Sequence, residues 1–283
     1  MKTSRLIFAL IGLLLLLPQA FAFCGFYVAR ADSKLYNKAS QVVLVRDGKR
    51  TALTMANDYQ GDPSEFAMVI PVPTVIEKSD VDVMEKAVVD HLDAYSAPRL
   101  VEYWDDDPNV DRREMLFFSG GVDAFSDRSA HSDGARALGV TIQREFSVGE
   151  YDIQVLAAEQ STGLITWLNQ EGYKIPEGAD PVIASYLAQD MRFFVAKVNL
   201  KRQARQGRTW LRPLRVTYKS RKFMLPIRLG TVNANGPQDL IIYTLTPRGR
   251  VEATNYRTVR LPSDVDIPPY VRDEFGAFYL AMF

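Results

Sequence analysis

The stretch Val42-Val-Leu-Val-Arg46, Asp47-Gly48, Lys49-Arg-Thr-Ala-Leu-Thr-Met-Ala56 constrains the fold most. Two strand-forming runs flank residues that tolerate the positive φ of a primed turn, so the spacing predicts an antiparallel hairpin. A lone hairpin is marginal in water and needs further strands to pack on. The chain supplies them. Phe66-Ala-Met-Val-Ile70 is a continuous apolar run ended by Pro71 and Pro73, which reads as a buried strand. Val140–Val148 and Tyr151–Ala157 alternate about Gly149 and predict a second hairpin. Further strands are expected over 100–104, 115–118, 193–200, 214–219, 222–229, 240–246 and 251–259, the last two joined by Pro247-Arg-Gly249. The C-terminal third therefore reads as mostly antiparallel hairpins.

Helical spacing appears in fewer places. Ser79 and Asp82 resemble a capping pair, and Val81, Met84, Val88, Leu92 and Tyr95 share one face of a helix closed by Pro98. A second helix is expected from about Thr162 to Glu171, packing Leu164, Ile165 and Leu168 inward and stopping at Gly172. Asp180-Pro181 opens a third, by an N-cap and a first-turn proline. Residues 269–283 read as an amphipathic helix without a capping residue, as if cut before a natural end. The Gly/Ser/Asp-rich segment 119–139 reads as an exposed flap.

The fold class that follows is α+β: antiparallel sheets and hairpins with three to four helices. Two related sub-domains, 23–160 and 161–283, or one continuous domain, both fit. Phe66–Pro71 and Phe223–Pro226 share an apolar run ending in proline, a likeness short enough that chance explains it nearly as well as duplication.

Residues 1–22 carry a different message. Met1-Lys-Thr-Ser-Arg5 precedes an apolar run from Leu6 to Leu17 and a small-x-small site at Ala20-Phe21-Ala22, the pattern of a signal peptide too short to span a bilayer. Cleavage before Phe23 is expected, which places the protein in the periplasm or outside the cell. No later apolar stretch approaches membrane-spanning length, and 47% hydrophobic with 24% charged residues is a globular composition. The 34 basic and 34 acidic residues cancel in total but not in distribution. Residues 58–111 hold fourteen acids against Lys78, Lys86 and Arg99, whereas 197–228 hold eleven Lys/Arg and no acid.

Taken together, Phe23-Cys24-Gly25-Phe26, Phe66–Pro73, Val148-Gly149-Glu150-Tyr151-Asp152, Trp167-Leu168 with Gly172-Tyr173, Phe194–Val198 and Pro213-Leu-Arg215 carry a resemblance. The chain resembles the bacterial domain-of-unknown-function family 2330 over about three quarters of its length. The resemblance implies an exported bacterial protein and supplies no activity, substrate or catalytic residue. It also implies that some relatives continue past the point equivalent to Phe283 and carry further cysteines there, one of which would pair with Cys24.

The residues themselves offer few candidates for chemistry. Cys24, the single cysteine, is a thiol, disulfide or lipidation candidate, although Phe23 stands where a lipoprotein has a small residue. A Cys/His catalytic site would need His91 or His131 to reach it, and neither spacing favours that. Asp105, Asp107, Asn109 and Asp111 alternate like the first half of a calcium loop, but Val110 stands where glycine makes the turn and Leu116 where a bidentate acid is needed, so a solvated acidic turn is the expectation. Phosphate loops and nucleophile elbows have no match. No cofactor is expected. Arg208, Arg212 and Arg215, in the basic segment that includes Trp210 and Tyr218, are the anion-binding candidates, unless that segment faces the acidic region of the same fold. Export makes nucleic acid an unsuitable partner. An anionic envelope component or a partner protein is expected instead, with membrane association only through a lipid on Cys24 or a segment beyond Phe283. The expected function is non-catalytic binding in the envelope. The alternative is a carboxylate-dependent hydrolase of cell-wall or polysaccharide material, which a cleft holding carboxyls of raised pKa would mark.

Overall fold

The computed structural model describes residues 26–29, 36–60, 66–101, 138–205, 211–233, 240–261 and 265–282. Cys24, His131, the 105–111 acidic turn, Arg208, the strands expected over 115–118 and nearly all of the 100–104 and 119–139 segments lie outside these residues. The chain divides into two compact units, one of residues 1–90 with 127–249 and one of 91–126 with 250–283.

The first unit is built on two five-stranded sheets. Sheet A runs in the order β1 (Phe26–Ala29), β4 (Phe66–Val72), β8 (Arg192–Val198), β7 (Tyr151–Ala158) and β6 (Val140–Val148), all antiparallel. Sheet B runs β10 (Leu240–Leu245), β2 (Tyr36–Asp47), β3 (Arg50–Gln60), β9 (Leu214–Lys219) and β5 (Val81–Val83), antiparallel except for β10 beside β2. Both sheets draw strands from either side of residue 160. With the helices below, this is an α+β fold.

The apolar runs are continuous where both faces of a strand are buried. Met68, Ile70 and Val72 of β4 and Phe194, Ala196 and Val198 of β8 point toward sheet B, where they meet Val42, Leu44, Leu53, Met55, Leu214 and Val216. Ala67, Val69, Phe193 and Val195 point the other way, into a second core with α2 (Ser161–Gln170) and α3 (Ala179–Leu187). Leu164, Trp167 and Leu168 of α2 are its buried stripe at helical spacing, and Ile183 and Tyr186 serve α3. Sheet A is thus the middle of three layers. Pro71, expected to stop β4, lies within it. Among the described residues β1 pairs only with residues 66–69, so at Pro71 the strand is an edge on that side and the missing N–H is tolerated.

Helix ends follow local chemistry. Gly172, at φ 87°, closes α2 in a Schellman motif: its N–H donates to the Asn169 carbonyl, and the Tyr173 N–H donates to that of Leu168 at 2.9 Å. The α3 helix begins at Ala179 after Gly178, so Asp180 and Pro181 occupy its first turn, one to two residues inside the expected start.

Four expectations are corrected. Residues 78–80 form a 3-10 turn closed by a reciprocal Glu77/Asp80 capping box, and Val81–Val83 pair with Val216–Leu214 as β5, so α1 begins only at Lys86 and ends at Ser96. Val88 and Tyr95 of the supposed apolar stripe are exposed, and Val89 is the buried residue of this helix. Segment 222–229 is not a strand. Pro226 breaks its ladder capacity, while Phe223, Leu225 and Ile227 pack as single side chains against the intersheet core. Leu200, read as the last residue of a strand, instead opens the short helix α4 (Leu200–Arg205), and the strand ends at Val198. Finally β10 forms no hairpin with 251–259, which is irregular; it crosses back to lie parallel to β2.

In the second unit the regular elements among the described residues are the C-terminal part of α1, a 3-10 turn over Pro269–Glu274 and α5 (Phe275–Ala281). The expected terminal helix is therefore half 3-10 and half α.

At Gly163 of α2 the helix lies close to the turn that precedes β6, and an added Cβ would sit 2.2 Å from the Leu138 carbonyl oxygen. Alanine is the better helix former, but here it collides with backbone that cannot swing aside. Gly163→Ala is expected to destabilise the protein by about 1–3 kcal/mol as overpacking does, read as a fall in the urea midpoint; a gain in midpoint would mean that the helix can shift freely.

Candidate functional site

Two features stand out in the first unit: a buried ionic clasp at the β6–β7 turn and the outward face of sheet B. The clasp lies in the Val148-Gly149-Glu150-Tyr151-Asp152 stretch. Strand β6 ends at Val148 and β7 starts at Tyr151, leaving Gly149-Glu150 as a two-residue loop. Gly149 takes φ 55° and no other residue of the loop has positive φ, the glycine-first pattern of a type II′ turn. That geometry turns the Glu150 carboxylate inward, where the residue is 1% exposed.

Arg212 meets it there. The Arg212 guanidinium donates to Glu150 Oε2 through Nε at 3.0 Å and Nη2 at 2.8 Å, and the Arg212 backbone N–H donates to Oε1 at 2.8 Å. The Tyr151 hydroxyl donates to the Arg212 carbonyl at 2.7 Å. A Cβ on Gly149 would lie 2.5 Å from Arg212 Nη2, so the turn needs glycine for the cation to approach. The other end of the basic segment is held by the same turn. Asn199 N–H donates to the Glu150 carbonyl at 2.8 Å, and Arg202 donates to the Gly149 carbonyl at 3.0 Å and to Asp152 Oδ1 at 2.9 Å. Asp152 also accepts from the Ser147 hydroxyl at 2.6 Å and the Asn199 amide at 3.1 Å. Burial alone would raise the Asp152 pKa; the hydrogen bonds from Ser147, Asn199 and Arg202, with the Arg202 charge, outweigh it and hold the carboxyl below its ordinary value.

Chemically this arrangement is a clasp. Its carboxylate oxygens are engaged by donors, and both ends of segment 199–212 are fixed to one hairpin. Glu77 is likewise committed to a surface ion pair with Arg144 Nε, at 2.6 Å, which lowers its pKa through the hydrogen bond. Of the anion-binding candidates, Arg212 holds Glu150 and Arg215 holds Asp82 at 2.5 Å across β9 and β5, the latter an acid of the 58–111 region. His91 is an exposed residue of α1. Among the described residues no group of three or more His, Cys, Asp or Glu is poised to hold a metal, and no helix is long and apolar enough to cross a membrane.

The second feature is an asymmetry of covering. Sheet A is packed on both faces, whereas among the described residues the outward face of sheet B is covered only in part. On its outward face Val43 and Thr54 are buried among neighbours, but Val45, Ile241 and Leu245 are 42, 42 and 39% exposed. The edge strand β10, Leu-Ile-Ile-Tyr-Thr-Leu, carries no charge and has β2 as its single strand neighbour among the described residues. Sequence reading missed this surface because β10 was placed in a hairpin with 251–259; only its parallel crossover brings Leu245 beside Val45.

Removing the Arg212 guanidinium leaves the buried Glu150 carboxyl without its ion partner, with the backbone N–H of residue 212 as its remaining donor on that segment. Arg212→Ala is therefore expected to destabilise the fold by about 3–5 kcal/mol in urea unfolding, and a loss within error of zero would show that water reaches the carboxylate. Asp152 gives a pH signature. Because its folded pKa lies below the ordinary 3.8, its contribution is complete above that value and is lost as pH falls through the folded one. Asp152→Asn is expected to flatten the acid limb of the stability profile; an unchanged limb would dissociate Asp152 from acid unfolding.

A family model described as an uncharacterized protein conserved in bacteria (DUF2330) matches residues 18–272. No curated protein and no solved structure matches the chain. The match spans both sheets and the α2–α3 layer together with the Gly149–Asp152 clasp, and the chain belongs to this bacterial family, domain-of-unknown-function family 2330.

Proposed function

We propose that the protein is exported, is cleaved before Phe23 and works in the bacterial cell envelope by binding, with the outward face of sheet B as its contact surface. One observation carries the reading: an uncharged edge strand flanks the exposed side chains of Val45, Ile241 and Leu245. An edge of this kind invites association unless charge, proline or a covering element blunts it, and β10 has neither charge nor proline. The signal-like residues 1–22 support export. The carboxylates favour binding over hydrolysis. A glycosidic general acid needs a raised pKa, whereas Asp152 and Glu77, the described acids whose values depart from the ordinary, are both lowered by their arginine partners and hydrogen bonds.

Protein isolated from envelope fractions is expected to begin at Phe23 by N-terminal sequencing, and a retained Met1 would sink the export. Purified protein is expected to sediment with isolated envelopes, and Val45→Glu with Ile241→Glu to weaken that retention at least about ten-fold, since each buries a charge at an apolar contact. Retention unchanged by both substitutions would remove sheet B from the binding surface.

A further inference from the structure

We infer that the turn end of sheet B docks on a bilayer surface rich in anionic phospholipid. The inference rests on the binding role proposed above and names its target. The β2–β3 turn carries Lys49 and Arg50, and the end of β9 carries Lys219, followed by Arg221 and Lys222. All five are exposed. Far apart in the chain, they are gathered by pairing: Arg50 and Lys219 are Cα partners on neighbouring strands, and the Ser220 N–H donates to the Lys49 carbonyl at 2.8 Å. Both Arg50 and Lys219 stand on the outward face, since Thr51, Leu53 and Tyr218 take the inward positions.

The cluster is held in place by a cation that is not itself available. Arg46 donates to the Thr51 hydroxyl at 2.7 Å and to the Ser220 carbonyl at 2.9 Å, and its guanidinium lies 5.4 Å from the centre of the Phe223 ring. Residues 220–223 are thereby pinned beside the hairpin. Lys222 donates to the Gln189 side chain at 3.1 Å, and the neighbouring acid Asp190 is engaged by Arg192. Among the described residues no ion pair is recorded for Lys49, Arg50, Lys219 or Arg221. The acid of these two segments is Asp47, Cα partner of Arg50 on β2, and no ion pair joins the two. Like charges directly opposite in a sheet oppose pairing; an external anion would reverse the sign of that interaction.

What selects a bilayer over a soluble anion is the row beside the cations. One step along the same face from Asp47, Arg50 and Lys219 lie Leu245, Val45, Ala52 and Thr217, in register across four strands. Free phosphate or a soluble polymer would use the charges and leave Val45 and Leu245 in water. A lipid interface takes both, with phosphates at the cations and apolar side chains toward the acyl boundary.

The test is co-sedimentation of the purified protein with phosphatidylcholine vesicles, with and without phosphatidylglycerol, at low and high salt. Binding is expected only with phosphatidylglycerol and is expected to fall with salt. At about five-fold per cation, the Lys49→Gln, Arg50→Gln, Lys219→Gln variant is expected to bind roughly a hundred-fold more weakly. A control removing the exposed Lys174, Lys201 and Arg205, which lie away from the turn end of sheet B, is expected to bind as the wild type, and free inorganic phosphate is not expected to displace the protein. Equal weakening in both variants would reduce the effect to overall charge and overturn the site; displacement by phosphate would overturn the bilayer as target. If the protein ignores phosphatidylglycerol yet sediments with envelopes through Val45 and Ile241, the lipid target fails and the binding role stands. If it does neither, both fail.

Discussion

Everything in the first unit depends on sheet A being buried twice. Strands β4 and β8 present apolar side chains to sheet B on one face and to α2 and α3 on the other, so neither face can be solvated without opening a core. This is a stronger constraint than a two-layer sandwich imposes, because a polar residue at any of these positions would need a hydrogen-bond partner in the interior. It also sorts the structure. Elements touching sheet A are fixed from both sides, whereas β10, at the rim of sheet B, has partly exposed side chains even at inward positions such as Ile242.

The clasp at Gly149–Asp152 closes the polar end of this arrangement. The intersheet core stops near Tyr151, and beyond it the chain must pass from α4 in sheet A's neighbourhood to β9 in sheet B. Glu150 and Arg212 tie that crossing at its second end, Asp152 and Arg202 at its first. A buried ion pair is poor evidence of net stabilisation, since desolvation offsets most of the Coulomb gain. Its consequence is directional: Glu150 accepts the Arg212 side chain and backbone N–H together, and so fixes where β9 begins.

Much of the fold was legible because local chemistry and tertiary placement agree. The Val42–Ala56 hairpin, the turn at Gly149 and the stop at Gly172 follow from residues a few positions apart, and each depends on a glycine at positive φ. The failures have a common cause. Helical spacing ran backward from α1 through Val81 because a three-residue edge strand cannot display its own period, and its identity lies in Val216, far along the chain. The parallel β10 was unreadable for the same reason. For the candidate surfaces, composition revealed that 197–228 is basic, but not that Arg212 and Arg215 spend their charge internally while Lys219 joins Lys49 and Arg50.

The parallel pairing of β10 with β2 has a temporal side. Strand β3 covers one edge of β2 almost as soon as it is made, but the other edge waits for residues 240–245. Contacts between segments so distant in sequence form late, because the intervening chain must surrender its entropy first. A chain emerging from its N-terminus therefore carries Val42–Val45 with one backbone edge unsatisfied through most of its synthesis. The apolar rim of sheet B is a site where a folding helper would act longest, and where a truncated chain would aggregate first.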